Sequence, residues 1–198
     1  DSDDQLIKSF YLTLPIYIKT LSNSSYLIAI ASPRKNINSN KLQINKVYED
    51  VIEANPIELL QREGIHGEFS LIFKTEIAKL YKYPVYDNEK FMRESLIYNR
   101  MGKQYKFLYI PETIVQAEYL DDGLTYNMSK ILSKSPKGAT LAFKELMNNE
   151  ILSIEHRLNV ALSFWDFAKL SNQSLFKRLL QIRGFKMKIL FLKRKYLN

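Results

Sequence analysis

Residues 26–31 (YLIAIA) are a short apolar run held between two polar clusters, residues 22–25 and 32–40. A run of that length with polar residues on both sides reads as a buried strand, and the second cluster reads as a loop. Residues 67–74 (GEFSLIFK), 105–110 (YKFLYI) and 113–119 are further strand candidates. Helical signals lie among them. Residues 5–21 are apolar-rich with helical character. Asn55-Pro56-Ile57-Glu58 combines an N-cap asparagine, a proline at the first helical position and a glutamate three residues after the cap. A short helix to about Arg62 is expected there, ended by Gly64. Residues 75–81 give a brief helical turn halted by Pro84. Asp87 or Asn88 is expected to cap a helix over residues 89–101 that stops at Gly102.

Beyond the turn Asp121-Asp122-Gly123 the character changes. Ser135-Pro136 opens a helix, and residues 150–170 form a longer amphipathic one containing the only tryptophan, Trp165. The order is mixed α and β, then all α, so the expected class is α/β with a helical C-terminal part.

Composition narrows the chemistry. With no cysteine, a disulfide scaffold, a thiolate zinc site and a cysteine nucleophile are excluded. Only His66 and His156 could offer imidazole, and they lie far apart in sequence. A metal would therefore be a hard cation held by carboxylates, Mg2+ or Mn2+ by default. The net charge of +8 is concentrated at one end: residues 175–198 hold Lys177, Arg178, Arg183, Lys186, Lys188, Lys193, Arg194 and Lys195 and no acid. No apolar run reaches the roughly 18 to 20 residues that span a bilayer, and the first residues are acidic rather than a basic signal sequence. The expectation is a soluble chain in a reducing compartment that touches a surface through its tail.

Asp1, Asp3 and Asp4 place three carboxylates in four residues. On a strand end Asp1 and Asp3 would project from one side and bind a divalent cation. The other reading is a helix cap, since Ser2 followed by Gln5 is a capping box. Glu94 falls at helical spacings from Phe91, Tyr98 and Met101, which puts a carboxylate among apolar neighbours. It either pairs with Arg93, Arg100 or Lys103, or faces a cleft where a raised pKa suits a general base.

In the tail, Leu175, Phe176, Leu179, Leu180 and Ile182 cover one side of a helix, with Lys177, Arg178 and Gln181 on the other. Such a basic amphipathic helix binds an anionic membrane surface, or else packs on its own domain. Nucleic acid is disfavoured, because the cations alternate with aliphatics rather than stacking aromatics.

The acidic run 1–4, then GEFSLIFKTEI (67–77), EKFMRESLIYNRM (89–101) and YKFLYIPETIVQAEYLDDGLT (105–125) together resemble family 2 glycosyltransferases of bacterial surface polysaccharide synthesis. The resemblance implies that residues 1–127 are the acceptor-side part of a GT-A Rossmann-like domain, without the βα units that bind the nucleotide in that family. Residues 128–198 would be a helical C-terminal extension with a basic amphipathic tail. It implies metal-dependent, inverting transfer from a nucleotide-sugar donor to a glycan or lipid-linked glycan acceptor. Asp3 and Asp1 would hold Mg2+ or Mn2+, and Asp1, Tyr119, Asp121 and Asp122 would contact the donor. Glu94, in the pair Glu94-Ser95, would be the catalytic base. Lys177, Arg178, Arg183, Lys186 and Lys188 would contact the membrane, placing the protein in the cytoplasm at the inner face of the cell membrane. The competing expectation is a noncatalytic peripheral membrane-binding or scaffold module.

Overall fold

The computed structural model of the chain describes residues 4–8, 10–118 and 127–197. Its organising element is the strand β2 (Leu27–Pro33), buried at every position. Burial follows from its place in a four-stranded sheet. β2 pairs in parallel with β6 (Lys106–Tyr109) and antiparallel with β5 (Phe69–Phe73), while β4 (Ile52–Ala54) runs antiparallel on the outer side of β6.

Side chains alternate along a strand, and a register shift between Leu27 and Ala29 lets Leu27 and Ile30 enter the same core. On one face Leu27 and Ile30 join Leu108, Ile110 and Ile114 under the helix α1 (Phe10–Asn23), which contributes Phe10 and Leu21. On the other face Ala29 and Ala31 are small. Ala29 lies opposite Phe73 of β5 and Phe107 of β6, and Ala31 opposite Tyr109. The missing bulk leaves room for rings to meet across β2: Phe73 and Phe107 are 6.0 Å apart edge to face, and Phe69 and Tyr109 are 5.2 Å apart. Pairs of this kind contribute about 0.5–1.5 kcal/mol beyond area burial. The apolar run thus encodes more than burial, since its alanines set the thickness of the ring layer.

A small second sheet has β7 (Val115–Ala117) at its centre, antiparallel to β1 (Gln5–Leu6) and parallel to β3 (Lys35–Asn36). The link from β6 to β7 is clamped by side chains. Ser32 Oγ donates to the Glu112 carbonyl at 2.7 Å and accepts from the Ile114 amide at 2.8 Å. Tyr48 Oη donates to the Ile110 carbonyl at 2.9 Å, and Tyr17 Oη donates to the Glu112 carboxylate at 2.8 Å.

The helix expected after Asn55 forms as α2 (Pro56–Glu58), with both arms of the capping box in place. It continues as a π-helical turn, Leu59–Glu63, and stops at Gly64 in the left-handed region. The helical turn expected over residues 75–81 is α3 (Thr75–Ala78). The strand and helix expectations otherwise hold with trimmed ends, apart from the first residues of α1, where Gln5–Leu6 is strand.

The helix α4 (Glu94–Met101) starts five residues later than the capping pattern suggested. Neither Asp87 nor Asn88 caps it, and Asn88 takes a positive φ of 66°. Glu89 has another role, described below.

The chain divides into two compact units, 1–82 with 98–121, and 83–97 with 122–198. The first holds the sheets. The second is helical: α5 (Met128–Ser133), α6 (Pro136–Met147), α7 (Ile154–Leu170), α8 (Leu175–Gln181) and α9 (Phe185–Tyr196). Its core comprises Met147, Leu158, Ala161, Phe164, Trp165, Ala168, Ile182, Met187 and Phe191. The helical unit therefore takes in residues 83–97 as well as the stretch beyond residue 127.

Within that unit Glu89 caps α6. Its carboxylate accepts the Lys137 amide at 2.7 Å and the Gly138 amide at 2.8 Å, filling the anion-favouring end of the helix. Ser135, the expected capping residue, instead accepts the Phe91 amide at 3.2 Å. Arg93 completes the attachment, its guanidinium lying 5.0 Å from the Phe143 ring centroid.

Candidate functional site

The acidic run enters the described part of the chain at Asp4, immediately before β1. Gln5 pairs with Gln116 and Leu6 with Val115, antiparallel. That register lays the strand following the acidic run beside the strand that leads into residues 119–123. Asp1, Asp3, Tyr119, Asp121 and Asp122 themselves lie outside the described residues. Asp4 is ion-paired with Arg34. Its charge is thereby matched by a guanidinium, which makes Asp4 a strand-anchoring residue rather than a cation ligand. At the same end of the pairing, Glu118 accepts from Asn38 Nδ2 at 3.1 Å. Among the described residues no group of three or more acidic or imidazole side chains gathers around one point.

Glu94 is the first residue of α4. It is exposed, not enclosed among apolar side chains as its spacing suggested. The reason is the late helix start: Phe91 precedes α4, so no continuous face joins Phe91 to Glu94. Its charge still reaches Tyr83, whose pKa is raised first by burial and then by Glu94.

The basic tail is two helices, and their contacts sort its cations. Arg178 corrects the expected membrane-contact set: it is 6% exposed and its guanidinium lies 4.4 Å from the Trp165 ring centroid. Ile182 is buried as well, so α8 turns Arg178 and Ile182 inward. Leu175, Phe176 and Leu180 face solvent. The Trp165 ring is the physical cause, because a guanidinium stacks on an indole where an aliphatic side chain gains less. In α9, Arg194 pairs with Glu155 at 2.7 Å and Lys195 with Asp166 at 2.9 Å, both acids of α7. Arg183 and Lys186 are exposed and Lys188 half-buried. Phe185, Ile189, Leu192 and Tyr196 form an exposed stripe at helical spacing along α9, with Phe185 80% exposed. Among the described residues no helix is long and apolar enough to cross a membrane.

A polar cleft escaped the sequence analysis. Lys137, Thr140, Leu141 and Lys144 of α6 face Lys177 and Gln181 of α8, with Tyr86, Ser171 and Gln173 closing a cavity of about 270 Å³. The α6 positions recur at i, i+3, i+4 and i+7, so the stripe was present in the sequence. What it faces depends on α8, more than thirty residues later.

No family model, curated protein or solved structure matches this chain. What it does must therefore be argued from its own residues.

Proposed function

We propose that the chain is the acceptor-side part of a metal-dependent, inverting glycosyltransferase that moves a sugar from a nucleotide-sugar donor to a lipid-linked glycan at a membrane surface. The observation that supports it is the antiparallel pairing of β1 with β7. It lays the strand that follows the Asp-x-Asp run beside the strand that leads into residues 119–123, the two segments that the family resemblance assigns to the donor. The divalent cation supplies charge neutralisation for the departing diphosphate. Glu94 accepts the proton of the acceptor hydroxyl as its oxygen bonds to the anomeric carbon; the carbon–oxygen bond to the diphosphate breaks, and its electron pair leaves with the diphosphate. One displacement on one face of the sugar inverts the anomeric centre.

The test is sugar transfer by the protein expressed from its full open reading frame, with a panel of nucleotide sugars and Mn2+ or Mg2+. Transfer should be abolished by Asp3→Ala and reduced about 10²–10⁴-fold by Glu94→Gln, the range for loss of a general base. Full transfer by Asp3→Ala, or no transfer from any donor in the panel, overturns the reading.

The outward apolar residues of α8 and α9 support membrane docking in this reading, and equally in the second one, a noncatalytic membrane-binding module. Vesicles containing anionic lipid should bind the protein in a salt-sensitive manner, and Phe176→Ala with Phe185→Ala should weaken binding. Vesicle binding without transfer from any donor favours the second reading. Absence of vesicle binding at low salt removes the membrane from both.

A further inference from the structure

We infer that the cleft between α6 and α8 is a binding site for a phosphate-type anion, with inorganic diphosphate its simplest ligand. Lys137, Lys144 and Lys177 line it together, and no carboxylate does. The ion pairs formed by described residues involve none of these three lysines. Glu89, which reaches the first turn of α6, has its two oxygens on the Lys137 and Gly138 backbone amides. Like charges gathered around one cavity repel one another, and an anion among them removes that repulsion.

The rest of the lining narrows the ligand. Thr140 Oγ1 donates to the Pro136 carbonyl at 2.6 Å, and Ser171 Oγ donates to the Ala168 carbonyl at 3.1 Å. Gln181 Nε2 donates to Gln173 Oε1 and to the Lys177 carbonyl. The Thr140 and Ser171 hydroxyls and the Gln181 amide are thus engaged by the protein itself, and the positive charge of the lining rests on three flexible ammonium groups. Such point charges suit a multiply charged phosphate without imposing the planar fork that a carboxylate finds in arginine. Size sets the other limit: about 270 Å³ is below the roughly 300–1,000 Å³ typical of pockets for drug-sized ligands. The cleft holds a diphosphate and leaves any attached sugar, base or lipid outside. This inference does not depend on the glycosyltransferase reading, and it gives Lys177 a role other than membrane contact.

Calorimetric titration of the whole chain with sodium diphosphate, at fixed ionic strength, tests it. Saturable binding to one site is expected, with sulfate much weaker. Lys144→Gln and Lys177→Gln should each lower the affinity about tenfold, or about 1.4 kcal/mol, and together should abolish it. Lys169→Gln removes an exposed charge outside the lining and should change affinity less than twofold. Circular dichroism of the variants checks that α6 and α8 remain helical. No saturable binding by the unaltered chain, or equal losses in Lys169→Gln and Lys144→Gln, overturns the site. Vesicles bearing phosphatidic acid identify the source of the phosphate: competition with diphosphate means that a lipid presents it, and saturable diphosphate binding without competition means a soluble ligand.

Discussion

The guanidinium of Arg178 lies over the indole of Trp165, 4.4 Å from the ring centroid, on the inward side of α8. Its Nε finds no hydrogen-bond partner among the described residues, so ring stacking and burial of the stem are what hold it there. A desolvated pair of this kind contributes about 2 kcal/mol or more. Arg178→Ala should therefore destabilise the helical unit by about 2–3 kcal/mol once lost packing is added. Arg178→Lys should recover only part, because an ammonium does not stack as a plane. Urea unfolding measures both, and a loss below about 0.5 kcal/mol, the range of ordinary surface substitutions, would deny Arg178 this role.

Ser32 is fully buried, and its hydroxyl bridges the Glu112 carbonyl and the Ile114 amide. Ser32→Ala keeps the shape but strands the buried Ile114 amide, at a cost of about 1–3 kcal/mol, and removes the donor from the part-buried Glu112 carbonyl. The midpoint of urea unfolding should fall accordingly. Faster hydrogen exchange at the Ile114 amide should accompany it, since that proton loses its acceptor.

Gly67 and Gly64 form a contrasting pair. Both have positive φ, but a Cβ on Gly67 would meet the Gln43 carbonyl oxygen at 2.2 Å and Ile44 Cα at 2.6 Å, whereas a Cβ on Gly64 meets open space. Gly64→Ala should cost about 1–2 kcal/mol, the strain of a left-handed residue. Gly67→Ala should cost more, because backbone must move to admit the methyl group. Parallel thermal unfolding decides the order, and equal costs would remove the steric argument.

The Tyr17 hydroxyl is pushed up to about 12 by burial and by its hydrogen bond to the Glu112 carboxylate. Tyr48 and Tyr109 are raised too, in each case mainly by burial. A folded-state pKa above the unfolded value, about 10 for tyrosine, contributes stability that is complete below pH 10. It is lost as pH rises toward the folded value. Unfolding free energy should thus fall between pH 10 and 12, and Tyr17→Phe should flatten that slope while leaving neutral-pH solubility unchanged. An identical slope in the variant would break the link to Tyr17.

Where determinants are local, the sequence was legible. The capping box at Asn55 closes through atoms three residues apart, and the strand expected by composition at residues 26–31 forms as Leu27–Pro33, running two residues into the expected loop. The start of α4 and the cap of α6 were not legible, for one shared reason: Glu89 bonds amides 48 and 49 residues away, which no local pattern encodes. The amphipathic sense of α8 was misjudged in the same way. Hydropathy sorts arginine with the solvent-facing residues, and only the position of Trp165 on α7 turns it inward. At the candidate site, a helix containing Glu94 was readable from sequence, but its place at the start of α4 and its exposure were not, since both depend on where α4 begins.

The contacts of residues 89–93 have a consequence for a chain that has been cut. Glu89 on the α6 amides, Ser135 on the Phe91 amide and Arg93 on the Phe143 ring all join residues before position 118 to residues after 127. A single proteolytic nick between those positions severs the covalent thread but none of these attachments. The two fragments should then travel together through gel filtration as a complemented pair and separate only in denaturant.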